Sequence, residues 1–94
     1  MVKHVILWKF KPGTEAEMRR FLDGLRGLQG QIPQIAGMEI GVNENPDNGF
    51  DAALIATFRS MEDLEIYKKD PRHIAVSALC KAIRTERAAV DYTF

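Results

Sequence analysis

Residues Val2 to Lys11, Val-Lys-His-Val-Ile-Leu-Trp-Lys-Phe-Lys, alternate so that both sides of a strand are apolar. His4, Ile6, Trp8 and Phe10 share one face, while Val5 and Leu7 hold the centre of the other between lysines. Such a two-sided pattern predicts a central strand, with helices over one face and a second layer over the other. Gly37 to Glu44 alternates next, with Met38, Ile40 and Val42 together. Phe50 to Arg59 follows, with Phe50, Ala52, Leu54, Ala56 and Phe58 on one face and Ala53 and Ile55 on the other. The intervening Asn45-Pro46-Asp47-Asn48-Gly49 has turn composition, so these two strands form a hairpin. Ala88 to Phe94 reads as a fourth strand.

Helical periodicity fills the gaps. Met18, Phe21, Leu22, Leu25, Leu28 and Ile32 recur at three- and four-residue spacing. They predict a helix opened by a capping box at Thr14 and Glu17 and closed before Pro33, weakened by Gly24, Gly27 and Gly30. Ser60 with Asp63 starts a short helix carrying Met61, Leu64 and Tyr67. Pro71 ends it near Lys69, because proline lacks an amide hydrogen and disfavours a helical Asp70. Asp70 then suits the N-cap of another helix with Pro71 in its first position, an apolar run from Ile74 to Ile83, and an end near Thr85.

Strand, helix, strand, strand, helix pair, strand is the order of an α+β, ferredoxin-like βαββαβ domain over residues 1–94, a four-stranded antiparallel sheet with helices on one face. Val5, Leu7, Ile55, Val90 and Tyr92 occupy the other face. A second copy packing sheet to sheet about a two-fold axis would cover them. A homodimer through the sheet face is therefore expected.

Composition narrows the partners. Thirteen basic residues balance thirteen acidic ones, which argues against nucleic acid or an anionic membrane as a partner. Nothing at the N-terminus resembles a signal peptide, and no apolar run is long enough to span a bilayer. The one cysteine, Cys80, has no intrachain partner, and a cytoplasmic location is expected.

The break at Asp70-Pro71 carries the candidate chemistry. On one continuous helix Tyr67 and His73 would point about 120° apart; a corner between them lets a phenol and an imidazole converge on one pocket, as an acid–base pair requires. His73 would lie in a first helical turn, where the dipole favours the neutral base. The alternative is that His73 packs the corner and Tyr67 fills the core. His4 reads as a core histidine or a pocket residue, and Asp91 as a carboxylate that needs His4 or His73 as partner unless it is solvated at the strand end. Strand parity places His4 and Asp91 on the face that Ile6 and Trp8 share, so a cavity walled by Ile6, Trp8, Phe21 and Leu25 is expected. Cys80 is assigned no role. Two histidines at 4 and 73 with scattered carboxylates have no metal-ligand spacing, and the helical glycines form no phosphate loop or dinucleotide fingerprint, so neither metal nor cofactor is expected.

Lys3-His4 leading a strand, Ile32-Pro33, Gly49-Phe50-Asp51, Ser60-Met61-Glu62-Asp63-Leu64, Tyr67 with Asp70-Pro71-Arg72-His73, and terminal Val90-Asp91-Tyr92 together resemble the stress-responsive A/B barrel domain family over nearly the whole chain. The resemblance implies a ferredoxin-like chain that dimerises through its sheet into an α+β barrel. The best-defined chemistry in that family closes a linear polyketide by aldol condensation without a cofactor. Carried over by motif, Tyr67 and His73 would be the catalytic pair, with His4 and Asp91 lining the pocket. The family's usual His-Pro-x-His reads Asp-Pro-Arg-His here, so Asp70 stands where a histidine is usual. Three functions follow: a dimeric protein binding an apolar small molecule without turnover, a polyketide cyclase-like enzyme or related lyase, and a monooxygenase of the wider dimeric barrel superfamily.

Overall fold

The strand at the start of the chain, β1 (Val2–Phe10), lies inside the sheet, and its alternation is the one its residues dictate. Val2, His4, Ile6, Trp8 and Phe10 are buried against the helices, while Val5 and Leu7 are half-buried on the opposite face. In the computed structural model, which describes all residues 1–94, the chain continues through α1 (Glu15–Arg26), β2 (Gly37–Val42) and β3 (Ala52–Phe58). It then runs through α2 (Met61–Lys69) and α3 (Pro71–Ile83) into β4 (Arg84–Thr93). The sheet order is β2-β3-β1-β4 with every pairing antiparallel, which is the ferredoxin-like βαββαβ fold.

One hydrophobic core joins β1 and β3 to the helices, with Phe58, Leu54, Phe21, Leu22, Leu25 and Leu64 among its least exposed side chains. Trp8 meets Phe21 edge to face at 5.1 Å, fixing α1 over the sheet. The other side of the sheet carries no helix, and Val90 and Tyr92 there are 55% and 45% exposed.

Several boundaries differ from those the pattern predicts. Thr14 precedes α1 without capping it: its hydroxyl donates to the Lys11 carbonyl at 2.6 Å. The cause is the turn at Gly13, whose φ of +81° folds Thr14 back on Lys11. The helix also stops at Arg26 instead of running on toward Pro33, although Leu28 and Ile32 remain buried beneath it in a chain of turns. Gly30, at φ +90°, takes a conformation no helix continues through.

Strands β2 and β3 are shorter than their alternating patterns. Asp51, expected within the third strand, instead ties the end of β1: its amide donates to the Trp8 carbonyl at 2.8 Å, and its carboxylate accepts from the Phe10 amide at 2.8 Å. Met61 and Ile74 are exposed where their helical stripes predict burial. β4 starts at Arg84, four residues before Ala88, because α3 passes into it without a loop.

The helix corner forms as its residues require. Ser60 Oγ accepts from the Asp63 amide at 3.1 Å to cap α2, and Asp70 Oδ1 accepts from the Arg72 amide at 2.8 Å to cap α3. The Arg72 guanidinium forks onto both Asp70 oxygens and also donates to the Gln31 carbonyl at 2.7 Å. That contact pins the corner to the turns after α1. The Arg72 hydrogen bonds hold the Asp70 carboxyl down to about 2.

Candidate functional site

A cavity of about 200 Å³ lies between the inner face of the sheet and the three helices. The sheet supplies His4, Ile6, Trp8 and Leu54, α1 supplies Phe21 and Leu25, and the corner supplies Tyr67 and His73. Ser77 and Cys80 continue the wall along α3, with Ile74 beside them.

The corner positions its two side chains by separate devices. Tyr67 is the buried residue of the last turn of α2, 1% exposed, and its ring lies 5.1 Å from Phe58. His73 occupies the first turn of α3. Across the break their ring centroids are 4.3 Å apart at 44°. His73 Nδ1 lies 3.2 Å from the Lys68 carbonyl, which can only accept, so the neutral ring carries its hydrogen on Nδ1 and leaves Nε2 as the basic nitrogen. Burial lowers the His73 pKa, outweighing the Lys68 carbonyl, which raises it.

Tyr67 has the opposite bias. Its hydroxyl is buried without any hydrogen-bond partner in the protein, and burial pushes its pKa up to about 12. A phenol so placed keeps its proton and has a free donor to offer whatever enters the cavity.

His4 is 4% exposed and stands directly opposite Asp91 across the β1–β4 ladder. Its Nδ1 approaches Asp91 Oδ1 at 2.5 Å, so the carboxylate accepts from Nδ1 and the second ring nitrogen is left for the cavity that His4 lines. Asp91 itself is not in the wall. It reaches the site through His4, so of the eight residues singled out in the sequence, seven meet around the cavity and Asp91 stands behind one of them.

Sequence reasoning missed the rim. Lys68, Lys81, Arg84 and Arg87 surround the opening. His73, Ser77, Cys80 and Arg84 follow one another at four, three and four residues, a helical stripe present in the sequence but masked by the apolar run around it. Cys80 is buried, and that burial pushes its thiol up, which suits an unreactive wall residue.

Known proteins share this arrangement of elements. Olivetolic acid cyclase of Cannabis sativa is 28% identical over 98% of this chain and 95% of its own length. A dimeric protein of ferredoxin-like fold from Bacteroides fragilis superposes with a TM-score of 0.93 at 30% identity, over 99% of this chain and 95% of that one. Hydroxynitrile lyase from Passiflora edulis has the same fold at a TM-score of 0.85 and 18% identity, over 99% and 95% of the two chains. The family model described as the Stress Responsive A/B Barrel Domain matches residues 2–94. With that match over nearly its full length, the chain belongs to the stress-responsive A/B barrel domain family.

Proposed function

We propose that this chain forms a homodimer in which each cavity binds a small, largely apolar carbonyl compound and that Tyr67 and His73 carry out acid–base chemistry on it. The observation that carries the reading is the unpartnered Tyr67 hydroxyl, buried in a cavity wall at ring contact with a histidine whose basic nitrogen is Nε2. A buried donor without a partner is costly, and a ligand oxygen removes that cost. His73, biased toward its neutral form, would accept the acidic hydrogen between two carbonyls, and Tyr67 would donate a hydrogen bond to the enolate oxygen that results. His4, held by Asp91, would fix the orientation of the bound carbonyl compound from the sheet side.

The resemblance to a cyclase supports ring closure by aldol condensation as the reaction class. A shape of about 200 Å³ limits the reacting portion to little more than one ring, since a cavity of about 150 Å³ accepts benzene. The test is turnover of linear poly-β-keto substrates by the wild-type protein, His73→Ala and Tyr67→Phe. Loss of roughly a hundredfold or more in each variant, with the fold intact, is the expected result. Binding of such compounds with equal, negligible turnover in all three would leave the protein a carrier. No binding at all would remove the reading.

Dimerisation through the bare sheet face completes the proposal. Val5, Leu7 and Ile55 are half-buried there beside exposed Val90 and Tyr92, and relatives of the same fold are described as dimeric.

A further inference from the structure

The whole chain is electrically balanced, yet the mouth of the cavity is not. Lys68, Lys81, Arg84 and Arg87 contribute four cationic groups to it, and no carboxylate lines the same opening. Lys68 is paired with Glu65 at 3.2 Å, whereas Lys81, Arg84 and Arg87 take part in no ion pair. The two arginines come from the start of β4, Arg84 opposite Phe10 and Arg87 opposite Trp8, so they flank the apolar floor made by β1. Lys81 lies in the last turn of α3, three residues before Arg84 begins β4. Like charges gathered without counter-charge repel one another, and an anion entering between them removes that repulsion.

Tyr67, in the wall of the same cavity, points to a ligand for an independent reason, because the residue is 1% exposed and its buried hydroxyl has no partner. The two observations mark opposite ends of one ligand: an acceptor oxygen in the interior and a negative charge at the rim. Guanidinium groups match a carboxylate through paired N–H donors, and the small interior volume favours a single ring between the two ends.

We propose that the preferred ligand of this cavity is a small ring compound bearing a carboxylate, with the acid group held by Arg84 and Arg87 and the ring resting on Ile6, Trp8 and Phe21. The proposal rests on the small-molecule reading given above and adds to it the charge of the ligand. Arg84 and Arg87 are thereby specificity residues, and proton transfer stays with Tyr67 and His73.

The experiment is a titration of the wild-type protein, at pH 8, with 4-ethylbenzoate and with its neutral counterpart 4-ethylbenzamide, followed by nuclear magnetic resonance at the Trp8 indole. Roughly tenfold tighter binding of the benzoate is expected, as a charge-assisted pair at a partly wetted rim supplies. Arg84→Gln/Arg87→Gln should bind both compounds equally, at the affinity the wild type shows for the amide, and Arg84→Lys/Arg87→Lys should regain part of the preference. Unchanged amide binding in the glutamine variant certifies that the cavity is intact. Equal binding of the two compounds by the wild type, or a preference that survives the glutamine substitutions, overturns the carboxylate proposal and leaves the small-molecule reading standing. Failure of both compounds to perturb Trp8 at millimolar concentration overturns both.

Discussion

His4 and Asp91 face each other across β1 and β4, and their side chains meet at 2.5 Å on the inner face of the sheet. The pairing turns a buried imidazole into an oriented one: the carboxylate holds Nδ1, and the ring plane follows. Asp91→Ala should leave the His4 N–H without an acceptor and cost about 1–3 kcal/mol in stability, measured by urea denaturation. Asp91→Asn retains an acceptor oxygen and should lose less. Equal stability of the alanine variant and the wild type would show that water replaces the carboxylate at no cost.

Tyr67 should keep its proton well past the range of a free phenol. With its pKa at about 12, above the ordinary 10, the group stabilises the fold fully below pH 10 and loses that contribution as pH rises through 12, by up to about 3 kcal/mol. An ultraviolet titration of Tyr92→Phe, which leaves Tyr67 as the one tyrosine, should show no phenolate band at pH 10. A band at pH 10 in the folded variant would contradict the burial argument.

His73 works in the other direction on the pH scale. Its folded pKa lies below 6.5, chiefly through burial, so the stability tied to its neutral form is present above pH 6.5 and declines as pH falls through the folded value. Denaturation midpoints of wild type and His73→Gln should converge above pH 7 in their pH dependence and separate below it, the wild type falling more steeply. The His73 ring resonance should titrate below 6.5 in the folded protein.

Asp70 does local work that a histidine in its place would do differently. It caps α3 and grips Arg72, which in turn reaches Gln31. Asp70→Ala should lower stability through the lost cap and loosen the turns between α1 and β2. Faster hydrogen exchange over residues 28–36 is the readout, and unchanged exchange there would mean that Arg72 holds Gln31 unaided.

On the bare sheet face, Val90→Asp should convert the proposed dimer to a folded monomer at micromolar concentration, read by light scattering on a sizing column. Val90 is already 55% exposed in the single chain, so a charge there harms pairing and spares the fold. Leu7→Asp, at a half-buried position, should both separate the copies and lower the melting temperature. A wild-type protein that elutes as a monomer would remove the sheet-to-sheet arrangement.

Elements with one strongly apolar side were legible in the sequence. The face shared by His4, Ile6 and Trp8, the stripe of Met18 to Leu25, and the stop at Asp70-Pro71 follow from periodicity and from proline's missing donor, and they were enough to set seven candidate residues around one space. β4 was less legible. Arg84 to Arg87 is polar on both faces because an edge strand with no helix above it has nothing to bury, and no alternation marks such a strand. Its first residues therefore read as a continuation of the helix, and with them went the basic rim. Thr14 misled for a local reason: the spacing to Glu17 suits a capping box, but Gly13 had already committed the hydroxyl to Lys11. The helical ladder likewise gave way after Arg26 to three-residue turns at Leu28 and Gln29, followed by the left-handed Gly30, while burial of Leu28 and Ile32 kept the apolar spacing going.

β1 is a wall with a different tenant on each side. Its even-numbered residues, His4, Ile6 and Trp8, belong to the cavity, and its odd-numbered ones, Val5 and Leu7, to the surface that would meet a second copy. The two sets share a backbone and no side chain. If the proposed ligand and dimer hold, descendants of this fold would be free to exchange ligands by rewriting every second letter of one strand while keeping their assembly, whereas insertion of a single residue would trade the two surfaces at once and forfeit both.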